Sequence, residues 1–460
     1  MRSRAGSGAR AATACAIFWP MSEASMPHAP ETALRPSGAP EVKGWCPGAF
    51  APMRSNDGLL MRAKVIGSRI GAAQLAALAA VSTECGNGLV DLSQRAQLQL
   101  RGVREDALGE ARAGLDSAGL LARDAAAERV TNIVASPLAG LDGGAFDANA
   151  LAAELAQAVQ DEPELGALPA KFFLAVDDGG APTLGDVGAD IRIEAAGAKS
   201  VALSLAGCDD GAAVVSLAEA VPAALALARA FVTLRDGAFE LRRMRRLVAA
   251  IGAEAVMRQA GLVTTPHARA TQASPAVLGA FSQGVCYAGV AAPFGRWRAA
   301  QLARLAALAE KEGLAEVRLT PWRAFLIPTA TPDAAQRIVA EAQEHDLIVS
   351  ANDPRLAVVA CPGAPECPQA QGATRAHLAQ LAPLAQKLAG KDGVGLHLSG
   401  CAKGCARPRR AAVTLVANNG LFDLVVNGRA SDAPSLTGLA IDAAKSALAA
   451  RAEENQCPTL

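Results

Sequence analysis

Four cysteines in the last quarter of the chain constrain its fold more than any other feature. Cys361, Cys367, Cys401 and Cys405 stand as C-x5-C-x33-C-x3-C, so two short loops must meet across a long insert if the thiols act together. Each pair follows a strand-like run: Val358-Val359-Ala360 leads into Cys361-Pro362-Gly363, and His397-Leu398-Ser399 leads into Gly400-Cys401. Small residues beside a thiolate let backbone N–H groups reach the sulfur, which suits an iron–sulfur cluster held by four cysteines. A structural zinc, which usually spaces each pair by two to four residues, and four plain buried thiols are the competing readings.

The rest of the composition bounds the class. A chain of 460 residues with 51% hydrophobic and 3% aromatic content has room for about two to four Ala-rich globular domains. Lys plus Arg equals Asp plus Glu at 44 each, so no global field steers the chain to nucleic acid or an anionic membrane. No run reaches the roughly 18 apolar residues of a membrane span. Residues 1–43 carry Arg2, Arg4 and Arg10, a brief apolar patch and Pro-rich polar sequence. They read as a disordered extension, with Met21 or Met26 as a candidate true start. Thiolate ligands require a reducing compartment, which points to the cytoplasm.

An internal repeat sets the expected organisation. Residues 72–80, AAQLAALAA, and 299–307, AAQLARLAA, agree at eight of nine positions. The same offset of 227 aligns Asp91-Leu92-Ser93-Gln94-Arg95 with Arg318-Leu319-Thr320-Pro321-Trp322, so a helix and the strand after it are copied together. The expected fold is α/β (α+β) and internally duplicated, each copy a small half-domain of helix on antiparallel strands followed by a larger α/β domain. Expected boundaries are 50–125 and 128–262 for the first copy, 263–278 for a linker, and 279–350 and 354–455 for the second. Leucines at 378, 381, 384 and 388 predict a helix between the two cysteine pairs.

The two cysteine loops resemble the cluster motif of the sirohaem nitrite and sulfite reductase superfamily. Within it, Gly400-Cys401-Ala402-Lys403-Gly404-Cys405-Ala406, Trp45-Cys46-Pro47-Gly48, Pro52-Met53 and Asp57-Gly58-Leu59-Leu60 look most like the precorrin-3B synthase family. The resemblance runs from about residue 44 to about 430. It implies ferredoxin-like half-domains, sulfite-reductase-type large domains and a 4Fe-4S cluster on Cys361, Cys367, Cys401 and Cys405. In the reductases the last of these also bridges to the haem iron, a place that falls on Cys405. The implied activity is an iron–sulfur monooxygenase that hydroxylates precorrin-3A with dioxygen and closes a lactone, in aerobic cobalamin synthesis. The alternative is an assimilatory nitrite or sulfite reductase with sirohaem as a resident cofactor. A cluster-stabilised or zinc-stabilised binding module is the non-enzymatic reading. The first reading implies a second, non-haem iron centre. No strand-G-x-G-x-x-G-helix pattern is present, so electrons are expected from a separate donor protein.

Leu92 to Arg101 reads as one half-buried strand, with Leu92, Ala96, Leu98 and Leu100 on one side and Ser93, Arg95, Gln97, Gln99 and Arg101 on the other. It resembles the superfamily's T-x-R-x-x-x-Q segment, which gives Arg95 and Gln99 the role of tetrapyrrole contacts. Guanidinium groups suit such a ring because they pair with its carboxylate fringe in a bidentate way. Arg101, Asn132, Lys171 in Leu168-Pro169-Ala170-Lys171-Phe172, Arg318, Arg323 and Lys403 complete the candidate substrate contacts. The chain departs from the reductases at Thr131 and Phe173, where they carry basic residues, and Arg407 stands where the synthases tend to have histidine. His397 is expected to support the cluster loop from its strand rather than to bind iron.

Overall fold

The structure is a computed structural model that describes residues 46–267 and 277–456. The extension expected over 1–43 and part of the expected linker lie outside the described residues.

The copied helix-and-strand units build two small sheets that share strands. The first runs Met53–Ser55, Gly58–Ala63, Leu98–Val103, Leu89–Leu92 and then Arg296–Arg298 from the other copy. The second runs Gly279–Phe281, Tyr287–Ala291, Ala324–Pro328, Glu316–Leu319 and then Arg69–Gly71. Each copy thus lends one short strand to the sheet of the other, and the helices that follow those strands, Ala72–Cys85 and Ala299–Lys311, pack together. Trp297 in one lent strand pairs with Val90, and its fully buried ring sits 4.8 Å from Phe325 of the other half. An indole buried across both halves stabilises their union by several kcal/mol.

The stretch 92–101 corrects the single-strand expectation. It is a hairpin in which Leu92 pairs with Leu98 and Ser93–Gln97 make the turn. Ser93 Oγ accepts from the N–H groups of Arg95 and Gln97, and Ala96 takes a left-handed φ of 51°. Gln97, expected on the polar face, is buried and donates to the Val65 carbonyl. The second copy repeats the device at offset 227: Leu319 pairs with Phe325, Thr320 closes the turn on Ala324, and Arg323 has φ 61°.

Two larger mixed sheets follow the small ones. In chain order the first comprises Ile133–Ala135, Leu174–Asp177, Ile191–Gly197, Ser200–Leu205, Gly211–Ser216 and Thr265–Pro266, the first three parallel. The last of these strands falls in the segment read as a linker. Leu217–Arg235 is long and apolar enough to cross a membrane by length and composition, but half of its apolar window is buried, and its Ala and Leu residues join this sheet's core. The second large sheet orders Val358–Ala360, Leu396–Ser399, Ala411–Asn418, Leu421–Gly428 and Leu436–Leu439, again with three parallel strands first.

The helix Leu378–Lys387 covers this last sheet, with Leu381 and Ala385 buried against it. Gly395 permits the close approach. A Cβ there would stand 1.8 Å from the Ala385 carbonyl oxygen and 2.8 Å from its carbon, and backbone cannot yield as a side chain can. Gly395→Ala should destabilise the protein by about 3 kcal/mol, seen as a lower midpoint in chemical denaturation. An unchanged midpoint would refute that packing.

Candidate active site

Both cysteine pairs begin at the carboxyl ends of neighbouring parallel strands, Cys361 after Val358–Ala360 and Cys401 after Leu396–Ser399. That topology brings together what the sequence separates, and the ends of parallel strands are where α/β sheets carry their sites. The loops are then tied to each other: the Gln371 N–H donates to the Gly400 carbonyl at 2.6 Å, and the Gly400 N–H donates to Cys361 Sγ at 3.1 Å. Thr374 Oγ1 donates to the Cys361 carbonyl and Ser399 Oγ to that of Cys401, both at 2.7 Å. A side chain at Gly400 would press on Gly363, Ala370 and Cys361 Sγ.

The thiols influence one another. Burial pushes Cys361 up, the N–H groups of Gly400 and Gly363 pull it down, and Cys367 and Cys405 push it up again. Cys405 is raised by burial, lowered by Lys403 and raised by Cys401 and Cys367. Cys361 and Cys405 thus each sense the charge of two other cysteines of the set.

Beside the cluster loops lies a cavity of about 740 Å³, walled by both copies. The first contributes Gln94, Arg95, Phe173, Asp186 and Arg243; the second contributes Phe294, Trp322, Arg323, Arg355, Val359, Asp392, Arg407 and Arg409. Most of these guanidinium groups have partners. Arg243 bonds the buried Asp190 at 2.9–3.0 Å, Arg355 bonds Asp353 and Asp346, and Arg407 bonds Asp392 at 2.5 Å. Arg95 and Arg323 form no carboxylate pair among the described residues. Arg95 donates only a long bond of 3.4 Å to the Lys171 carbonyl and stands 5.4 Å from the Phe173 ring centre. Arg323 has an unbonded Nε, and burial pushes its guanidinium down. The two cations come from the two matching turns.

Of the eight candidate substrate contacts, these two line the cavity. Arg101 is buried instead, its donors spent on Asp57 and Asp91 at 2.9–3.3 Å. Arg318 is buried on Glu316 and the carbonyls of Pro137 and Ala139. Asn132 is buried too, donating to the Arg129 and Ala170 carbonyls and accepting from Arg62. Gln99 lies opposite Asp91 and Arg62 in its sheet, and Lys171 and Lys403 are exposed. Arg101 and Arg318 are thus corrected from free ligand contacts to internal ion pairs, since carboxylates on neighbouring segments take up their donors. Arg243, Arg355 and Asp392 were not foreseen. The run Arg242-Arg243-Met244-Arg245-Arg246 is the signal that could have pointed to the first.

Comparison with known proteins bears on the fold and the family of the chain. The nitrite/sulfite reductase ferredoxin-like half-domain family matches residues 51–118 and 282–345, one segment in each copy. The precorrin-3B synthase of Sinorhizobium sp is 31% identical over 409 residues, covering 85% of this chain and 84% of that protein. The chain belongs to the precorrin-3B synthase family. That family sits within the nitrite/sulfite reductase superfamily: the chloroplastic ferredoxin–nitrite reductase of Zea mays is 26% identical over 77% of this chain and 68% of its own length. The NirA protein of Mycobacterium tuberculosis shares the fold, with a TM-score of 0.63 at 22% identity over 81% of this chain and 74% of that one. Precorrin-3B synthase relatives and nitrite reductases alike are oxidoreductases.

Proposed function

We propose that the protein is a precorrin-3B synthase, a cytoplasmic monooxygenase that binds precorrin-3A in the cavity shared by its two copies, hydroxylates the ring with dioxygen and closes a lactone from a ring acetate. The observation that carries this reading is the pair of carboxylate-free cations, Arg95 and Arg323, facing one large hollow beside the cysteine loops. A ring fringed with acetates and propionates supplies the partners they lack, and each charge-assisted bond contributes roughly 1.5–3 kcal/mol. Trp322, held by its Nε1 donating to Asp186 at 3.1–3.2 Å, offers an apolar face to the macrocycle. These groups fix the orientation of the ring, which is chiefly a positioning contribution to rate.

The donor set at Cys361, Cys367, Cys401 and Cys405 fits a 4Fe-4S cluster, because its two loops leave adjacent parallel strands, are tied to each other through Gln371 and Gly400, and aim the Gly400 N–H at Cys361 Sγ. When bound, the cluster supplies one-electron transfer from an external donor protein. One oxygen atom enters the ring and the other leaves as water, with two electrons and two protons taken up.

Anaerobic reconstitution followed by incubation with precorrin-3A under labelled dioxygen tests the reading, with one labelled oxygen expected in the product by mass spectrometry. Purified protein should show a broad thiolate-to-iron band, whereas an intense haem-type band would support the sirohaem reductase alternative. Cys405→Ser should fold and bind the ring, yet lose at least tenfold in turnover and retain less iron per chain. Full activity in that variant would remove the cluster from the mechanism.

A further inference from the structure

One buried group next to the cysteine loops has no use in the account above. His397 lies on the middle of the three parallel strands, fully buried between Val359 and Thr414, and neither ring nitrogen has a hydrogen-bond partner. Buried polar atoms are almost always paired, because each orphan costs about 1–3 kcal/mol. The ring lies beneath the second cysteine loop: a Cβ on Gly404, between Cys401 and Cys405, would be 3.7 Å from His397 Cε1. Burial and then the charge of Arg407 push the imidazole down to about 4, so it is neutral and carries one N–H donor. The other copy supplies a natural contrast. In its matching sheet, whose three parallel strands lead into no cysteines, the corresponding strand position is Ala175.

We infer that His397 donates its ring N–H to a sulfur of the cluster held by Cys361, Cys367, Cys401 and Cys405, and so sets the cluster's reduction potential. The inference rests on the cluster reading given above. Hydrogen bonds to cluster sulfurs stabilise the more negative reduced state and raise the potential. His397 is then a positioning and tuning residue, and no iron ligation is required of it.

The test uses full-length reconstituted protein labelled with ¹⁵N-histidine. Pulsed EPR of the reduced cluster should show a ¹⁵N coupling and an exchangeable proton in the unsubstituted protein, and the ¹⁵N coupling should vanish in His397→Gln. In redox titrations His397→Leu should shift the reduced-to-oxidised ratio at fixed potential at least tenfold toward oxidised, which is 59 mV for one electron. His397→Gln, which keeps an N–H donor, should recover part of that shift. A fully loaded cluster without histidine coupling, or an unshifted potential in His397→Leu, overturns the inference. If His397→Leu fails to assemble, the labelled unsubstituted protein decides alone. Absence of iron and sulfide in the reconstituted protein overturns the cluster reading itself, and is seen by metal analysis before any titration.

Discussion

Replacing Arg323 with methionine should yield a protein that is more stable without its ring and binds the ring more weakly. The guanidinium is half-buried, its Nε is unbonded, no carboxylate among the described residues pairs with it, and the charge of Asp91 offsets only part of the effect of burial. A buried cation in that state opposes folding. A methionine of similar length removes the penalty, and the left-handed backbone at this position burdens both side chains alike. Stability of the ligand-free protein should rise by about 1 kcal/mol in denaturant titrations. Affinity for a carboxylate-fringed tetrapyrrole should fall about 10- to 150-fold, the equivalent of one charge-assisted hydrogen bond. Arg95→Met should act in the same sense, and the double variant should lose roughly the product, since the cations reach the ring from separate turns. If Arg323→Met binds the ring as tightly as the unsubstituted protein, the cavity is not where the carboxylates sit.

The cysteine loops and the duplication were legible because their signals are local. Spacing and small neighbours mark Cys361, Cys367, Cys401 and Cys405, and one copied helix with its following strand reveals the repeat. The hairpin at 92–101 was hidden by parity. Its five-residue turn joins Leu92 to Leu98, so the alternation of apolar positions passes through the turn unbroken. Strand exchange was hidden by distance: Arg296 pairs with Asp91 across 205 residues, and nothing within either segment encodes the partner. The same limit explains Arg101 and Arg318, whose charge is visible in sequence while the carboxylates that absorb it are not. Arg95 and Arg323 stand out only once those pairs have been removed from the set of basic residues.

Asp91 is the residue whose loss should most damage the link between the first small sheet and the cluster loop. Arg296 from the lent strand bonds it at 2.9 and 3.2 Å, Arg101 approaches at 3.3 Å and Arg375 at 3.6 Å. Asp57 and Glu366 complete a network of three cations and three anions, with Arg296 also bonding Glu366 at 2.5 Å. Glu366 immediately precedes Cys367, and its carbonyl accepts from Ser55 Oγ at 2.6 Å and the Asn56 N–H at 3.0 Å. Burial pushes the Asp91 carboxyl up, but the Arg296 hydrogen bond and the charges of Arg375, Arg296 and Arg101 more than reverse this, holding it at about 2. A depressed carboxyl contributes stability that is complete above its unfolded pKa of about 4 and is lost as pH falls through about 2. Asp91→Asn should remove that acid-side dependence. It should also cost about 3–5 kcal/mol near neutral pH, because three buried guanidinium groups then face two carboxylates. The same variant should surrender iron to a chelator faster, since the segment leading to Cys367 loses its anchor. Charge balance makes a sharper check: Asp91→Asn combined with Arg375→Met leaves two cations and two anions, and should be more stable than Asp91→Asn alone. A double variant no better than the single one would mean that shape, rather than charge compensation, holds this corner together.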